Sequence, residues 1–201
     1  MKIGIFGGTF DPPHLGHIKT FTAFYNNFDF DKVYVIPVYT PPHKQIHSTT
    51  STQERLDMTR LAFEKISDKV EVSDLEIKRE GKSYTADTIR YFKEQGCDEI
   101  YFLCGTDMLL TLSLWYKPEY IFKNATIVYA RRENEQELTE KISDKIKEYE
   151  QCFGAKILLL ETPTLEISST DIRNNIGGIG SQFLSSEVFD YIKQNELYKN
   201  R

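Results

Sequence analysis

Two short stretches of this chain hold residues whose types and spacing suit phosphate chemistry. The first is Gly7-Gly8-Thr9-Phe10-Asp11-Pro12-Pro13-His14-Leu15-Gly16-His17. Paired glycines after the apolar run Ile3 to Phe6 allow close backbone approach and leave N–H groups open to an anion. A helix opening at His14 adds positive potential. His14 and His17 are three apart, so they share a face in a first helical turn and can both donate to phosphate oxygens. Gly16 between them removes a side chain that would obstruct a nucleotide base. The second stretch is Ile167-Ser168-Ser169-Thr170-Asp171-Ile172-Arg173. Its hydroxyls can cap a helix start, and Arg173, one turn on, supplies a planar cation for phosphate.

Taken singly, each stretch has a plainer reading. Gly-Gly after a strand can be only a tight turn, and a Ser/Thr cap before a surface arginine is common. A histidine pair could be half of a metal site, yet no further His or Cys stands at ligand spacing. The Walker pattern and G-x-G-x-x-G are both missing.

The elements that must position these stretches follow from periodicity. β-rich runs recur at Lys2 to Phe6, Lys32 to Pro37, Lys69 to Val72, Glu99 to Cys104, Ala125 to Ala130 and Lys156 to Leu160. Helical spacing fills Leu15 to Asn26, Thr52 to Ile66 and Thr85 to Gln95. Continuously apolar strands alternating with helices predict an α/β fold. The expected architecture is a Rossmann-like open, mostly parallel sheet with helices on both faces and a small C-terminal helical region. Ligands then bind beyond the carboxyl ends of the strands, where strand order reverses. Glu133 to Gln151 reads as a solvated helix resting Leu138, Ile142 and Ile146 on the domain, and Ser185 to Leu197 as a closing helix. With no linker or repeat, residues 1–201 are expected to form one domain, its helical C-terminal part beginning near 168.

Composition narrows the function classes. The net charge of −5 speaks against a broad nucleic-acid surface. Cys97, Cys104 and Cys152 contain no C-x-x-C pair, so reduced thiols are expected, with neither a disulfide framework nor a zinc site. No signal peptide opens the chain and no run approaches the ~20 apolar residues of a membrane span, which makes the cytoplasm the default.

Taken together, the H-x-G-H and I-S-S-T-x-x-R stretches resemble the nucleotidylyltransferase superfamily. Within it, the chain is similar to bacterial nicotinate-nucleotide adenylyltransferases along nearly its whole length. The matching segments are Pro41-Pro42-His43-Lys44, Ser83-Tyr84-Thr85-Ala86-Asp87-Thr88, Gly105-Thr106-Asp107, Leu114-Trp115-Tyr116-Lys117, Arg131-Arg132, and the terminal Tyr191-Ile192 with Leu197-Tyr198. Ser113 and Ser185 or Ser186 stand where family members often carry proline.

The resemblance implies transfer of the adenylyl group of ATP to nicotinate mononucleotide, giving deamido-NAD and pyrophosphate in NAD biosynthesis. His14, His17, Lys44 and Arg173 would be catalytic. Ile5, Phe6, Gly7, Gly8, Thr9, Phe10, Gly105, Asp107, Ile167, Ser168, Ser169 and Thr170 would line the ATP or dinucleotide site. Thr85, Trp115, Tyr116 and Arg132 would hold the pyridine mononucleotide. Trp115, the only tryptophan, could stack on a pyridine ring or simply pack in the core. Asp107 could accept from ribose hydroxyls or merely cap a helix, and Arg132 could be an ordinary surface residue. Mg²⁺ would ride mainly on the ATP phosphates, with no protein ligand named. Partners are the two nucleotides, with a homo-oligomer left open.

Two alternatives remain at this stage. One is an enzyme for nicotinamide mononucleotide, or for both acceptors. The other, from a different class, is a non-catalytic nucleotide sensor, against which intact His14, His17 and Arg173 speak. Pantetheine-phosphate adenylyltransferases and glycerol-phosphate cytidylyltransferases share the H-x-G-H, but Ser83–Thr88 and Trp115-Tyr116 point to the pyridine branch. A tRNA-synthetase fragment would carry it too, yet this acidic chain lacks a tRNA-binding appendage and a K-M-S-K-S segment.

Overall fold

A computed structural model describes residues 1–42, 50–131, 136–162 and 167–199. Six strands form one sheet: β1 (Lys2–Gly8), β2 (Lys32–Pro37), β3 (Val70–Val72), β4 (Glu99–Gly105), β5 (Thr126–Ala130) and β6 (Lys156–Leu160). Their order is β3-β2-β1-β4-β5-β6, and every pairing is parallel, where a mostly parallel sheet was expected. The chain builds outward from β1 in one direction, then returns to β4 and builds outward in the other. The reversal therefore falls between β1 and β4, and the loops at their carboxyl ends frame the natural ligand crevice.

Neighbouring strand residues point to opposite faces, and each face has its own core. Ile3, Ile5, Phe102 and Ile127 pack on one side, under α4 (Thr85–Glu94), α5 (Thr106–Thr111), α6 (Pro118–Asn124) and α7 (Gln136–Phe153). Phe6, Val33, Val35, Leu103 and Val128 pack on the other, under α1 (Leu15–Asn27) and α2 (Thr52–Phe63). A third cluster joins Met58 of α2 to Ile172 of α8 (Ser169–Asn174) and to Val188 and Ile192 of α9 (Ser186–Gln194). The C-terminal helices are thus anchored to α2, next to the loop after β1.

One expected element differs in detail. The charged helix α7 buries more than a narrow stripe. Ile142 is buried, and the Tyr149 ring lies fully buried against Phe122, its hydroxyl donating to the Leu109 carbonyl at 3.0 Å. Ser113, unusual for its position, donates its N–H to the same hydroxyl at 3.4 Å, a bond that proline could not make. Ser185 caps α9 by accepting from the Val188 N–H. A short helix, α3 (Leu75–Arg79), lies between β3 and α4. No helix among the described residues is long and apolar enough to cross a membrane.

Candidate active site

β1 ends in Gly7-Gly8, and the loop that follows turns into α1. Phe10 has a left-handed backbone (φ 49°), which drives its ring back under Gly8 and into the core beside Phe6 and Phe63. A Cβ at Gly8 would lie 2.7 Å from the Phe10 ring, so glycine is required there. Phe6 and Phe10 are therefore core residues, and only their backbones can meet a nucleotide.

His14 is the N-cap of α1 and His17 its third residue. The two form a reciprocal capping box: the His17 N–H donates to His14 Nδ1 at 3.4 Å, and the His14 N–H to His17 Nδ1 at 3.3 Å. The rings stack with centroids 3.7 Å apart. Because both Nδ1 atoms accept backbone protons, each neutral ring carries its own proton on Nε2. The pair thus presents two parallel N–H donors, fixed in tautomer by the helix they cap. Gly16 makes room for this pair, since a Cβ there would meet the His14 ring at 3.0 Å and Ile167 at 3.6 Å.

The second motif closes over the same loop. Ser168 caps α8, accepting from the Asp171 N–H at 3.1 Å while the Asp171 carboxylate accepts from the Ser168 N–H. Ser169 then donates its hydroxyl to the Pro12 carbonyl at 2.9 Å. Arg173 donates from Nη1 to the Asp11 carbonyl at 2.6 Å and from Nη2 to Thr170 Oγ1 at 3.0 Å, with Nη1 also 3.6 Å from the Asp11 carboxylate. Its Nε is buried without a hydrogen-bond partner among the described residues. Through these contacts Arg173 joins α8 to the β1–α1 loop.

Three residues to which the sequence assigned no role complete this brace. Asp11, 3% exposed, accepts a 2.8 Å bond from the Tyr198 hydroxyl. Burial and the nearby Asp11 charge push the Tyr198 phenol well above its ordinary range. Arg55 of α2, 1% exposed, donates to the Thr9 carbonyl at 2.8 Å and to the Tyr39 carbonyl at 3.3 Å. Burial pulls the Arg55 guanidinium down, against the pull of Asp11. An arginine on the buried face of a helix, beside Leu56, Met58 and Thr59, was the available signal.

Next to the loop lies a cavity of about 270 Å³, floored by Ile5, Gly7, Gly8 and Thr9 of β1 and its loop and by Ile36 of β2. Its walls are Glu76, Ser83 to Thr85, Thr88, Phe102, Trp115 and Tyr116. Thr85 opens α4, whose first turn has no side-chain cap, while the Asp87 and Thr88 N–H groups donate to the Tyr84 carbonyl. Trp115 packs edge-on to Phe102, and Tyr116 lies over Tyr84 with ring centroids 4.5 Å apart. The structure therefore brings Thr85, Trp115 and Tyr116 to one pocket. Gly105 and Asp107 sit at the carboxyl end of β4, with Asp107 exposed in the first turn of α5 and not among the pocket's walls. Lys44 and Arg132 lie outside the described residues. No group of three or more His, Cys, Asp or Glu that could hold a metal occurs among the described residues.

A histidine pair at a helix start, a braced glycine turn at a switch point and an apolar pocket sized for a ring together define a protein of the nucleotidyltransferase class. Comparison with known proteins refines this. A family model described as cytidylyltransferase-like matches residues 5–175. A protein of Listeria monocytogenes serotype 4a named "probable nicotinate-nucleotide adenylyltransferase" is 39% identical over 198 residues, covering 98% of this chain and 97% of its own. One of the same name from a Thermoanaerobacter species is 37% identical over 204 residues, covering 99% and 95%. The chain belongs to the cytidylyltransferase-like family and, within it, to the nicotinate-nucleotide adenylyltransferases. It shares its fold with a Plasmodium falciparum nicotinic acid mononucleotide adenylyltransferase solved with NaAD, at 20% identity and a TM-score of 0.73 over 100% of this chain and 98% of the other.

Proposed function

We propose that this protein transfers the adenylyl group of ATP to nicotinate mononucleotide, producing deamido-NAD and pyrophosphate. The observation that carries this reading is the stacked His14–His17 pair beside the pocket walled by Thr85 and Trp115. In the reaction, an oxygen of the mononucleotide phosphate attacks the α-phosphorus of ATP as the bond to the β-phosphate oxygen breaks. The nucleophile is already an anion, so no covalent intermediate with the protein is needed. The protein's work is to align the two phosphates and stabilise charge.

The two Nε2–H donors suit the α-phosphate oxygens, where negative charge rearranges in the transition state. Gly7, Gly8 and Thr9 offer backbone to the nucleotide. Lys44 would neutralise the leaving pyrophosphate. Arg173 would place its positive charge in the loop that carries His14 and hold that loop in position. Trp115 offers its face to the pyridine ring, and the open first turn of α4 at Thr85 suits the acid's carboxylate. Mg²⁺ would ride mainly on the ATP phosphates and neutralise their charge, in line with its preference for keeping substrate oxygens and waters as ligands.

A second reading, use of nicotinamide mononucleotide, draws on the same pocket, because the rings differ only in carboxylate against amide. Purified protein with ATP and Mg²⁺ should release pyrophosphate when given nicotinate mononucleotide, and less readily with the amide. No release with either compound would overturn the proposal.

A further inference from the structure

The pocket assigned to the pyridine ring poses an electrostatic puzzle. An acidic acceptor brings a carboxylate into it, yet no described residue of its lining is cationic. The only carboxyl group in that lining is Glu76, itself an acid. Glu76 is 6% exposed. Its Oε1 accepts from the Thr88 hydroxyl at 2.6 Å, and its Oε2 is buried with no hydrogen-bond partner among the described residues. The cation nearest it is Arg79, 3.8 Å away on the same short helix, which also donates to the Thr88 hydroxyl at 3.2 Å. From the α4 side the group is faced by the hydroxyls of Ser83 and Thr88, which line the same pocket.

Thr88 is one helical turn beyond Thr85, where the substrate's carboxylate is placed by the proposed function. We propose that Glu76 decides between acid and amide acceptors: as a neutral acid it admits a nicotinate carboxylate, and as an anion it turns the pocket toward the nicotinamide group. This rests on the adenylyltransferase reading above.

Two carboxylates about one helical turn apart in a poorly solvated pocket repel each other strongly, as in other like-charge pairs. A neutral Glu76 removes that repulsion. Burial pushes its carboxyl above the ordinary carboxylate range, against the Thr88 hydrogen bond, the nearby Ser83 hydroxyl and the charge of Arg79. The amide, in contrast, has N–H donors for an ionised Glu76. The residue acts on binding of the ring and takes no part in the chemistry at phosphorus.

The test is the ratio of kcat/KM for nicotinate over nicotinamide mononucleotide, measured from pH 6 to pH 9 with ATP and Mg²⁺. The two compounds share ribose, phosphate and ring nitrogen, so titration of the histidines or the phosphate cancels in the ratio. In the natural protein the ratio should fall about tenfold as pH rises, which is what one unit of differential interaction supplies. In Glu76→Gln it should stay flat, at the natural protein's low-pH value. Should Glu76→Gln fail to fold, the ratio of the two dissociation constants in the natural protein, followed by Trp115 fluorescence over the same range, decides the matter. A ratio that does not move with pH, or moves equally in both proteins, overturns the role of Glu76 alone. Use of neither mononucleotide at any pH overturns the adenylyltransferase reading and this inference with it.

Discussion

At the scale of the residue, the histidine pair joins two jobs in one geometry. The same Nδ1 atoms that cap α1 leave Nε2 as the donor on each ring, so helix initiation and the proposed phosphate binding share their side chains. Replacing His17 by alanine should therefore have two separable effects. Loss of one arm of the capping box costs about 1 kcal/mol of stability. Loss of a transition-state donor lowers kcat by roughly 10²–10³-fold. Thermal unfolding and pyrophosphate release on the same preparation check both, and an unchanged kcat would remove His17 from the chemistry. The histidines were legible in the sequence because their spacing and neighbours form a motif. Arg55, Glu76 and the bracing role of Asp11 were not. Charged residues read as solvated by default, and what makes these three exceptional is partners that only the folded chain supplies. Thr9 lies 46 positions from Arg55, and Tyr198 lies 187 from Asp11.

At the scale of the element, α8 shows how a weak local structure is made to hold. Six residues are too few for a helix to persist on its own. It is held by the Ser168–Asp171 capping box at one end and by burial of Ile172 against α2, and it returns that support by fixing Ser169 and Arg173 on the loop after β1. Ser168→Ala should cost about 1 kcal/mol. In a chain of this size that lowers Tm by about 2–4 °C. It should also raise the KM for ATP while leaving mononucleotide affinity unchanged, because α8 contributes nothing to the ring pocket. Equal weakening of both substrates would mean that α8 supports the whole fold instead. Strands were the easily read elements: their unbroken apolar runs reflect helices on both faces. The short α3, α5, α6 and α8 offer too few turns for a period to show, and α3 carries Glu76.

At the scale of the whole molecule, the C-terminal helices act as a clamp on the catalytic loop. α9 lies on α2 through Val188 and Ile192, with Tyr191 donating to Asp57 at 3.2 Å, and this places Tyr198 over Asp11. Tyr198→Phe keeps the ring and removes the hydroxyl, leaving a buried carboxylate with one donor fewer. The expected loss is about 1–3 kcal/mol. Amide hydrogen exchange across residues 9–14 should quicken, and Trp115 should bind the mononucleotide as before. Exchange that stays slow in that loop would show that Arg173 and Ser169 suffice.

The Tyr198–Asp11 bond also bears on synthesis. The loop with the histidine pair leaves the ribosome among the first segments of the chain, but its partner Tyr198 follows 187 residues later. At ordinary elongation rates of roughly 5–20 residues per second, Asp11 waits about ten seconds or more for it. Throughout that interval the nascent chain holds the phosphate-handling motif without the clamp that orders it. A chain halted short of Tyr198 would carry the histidines without the bond that this hydroxyl donates to Asp11.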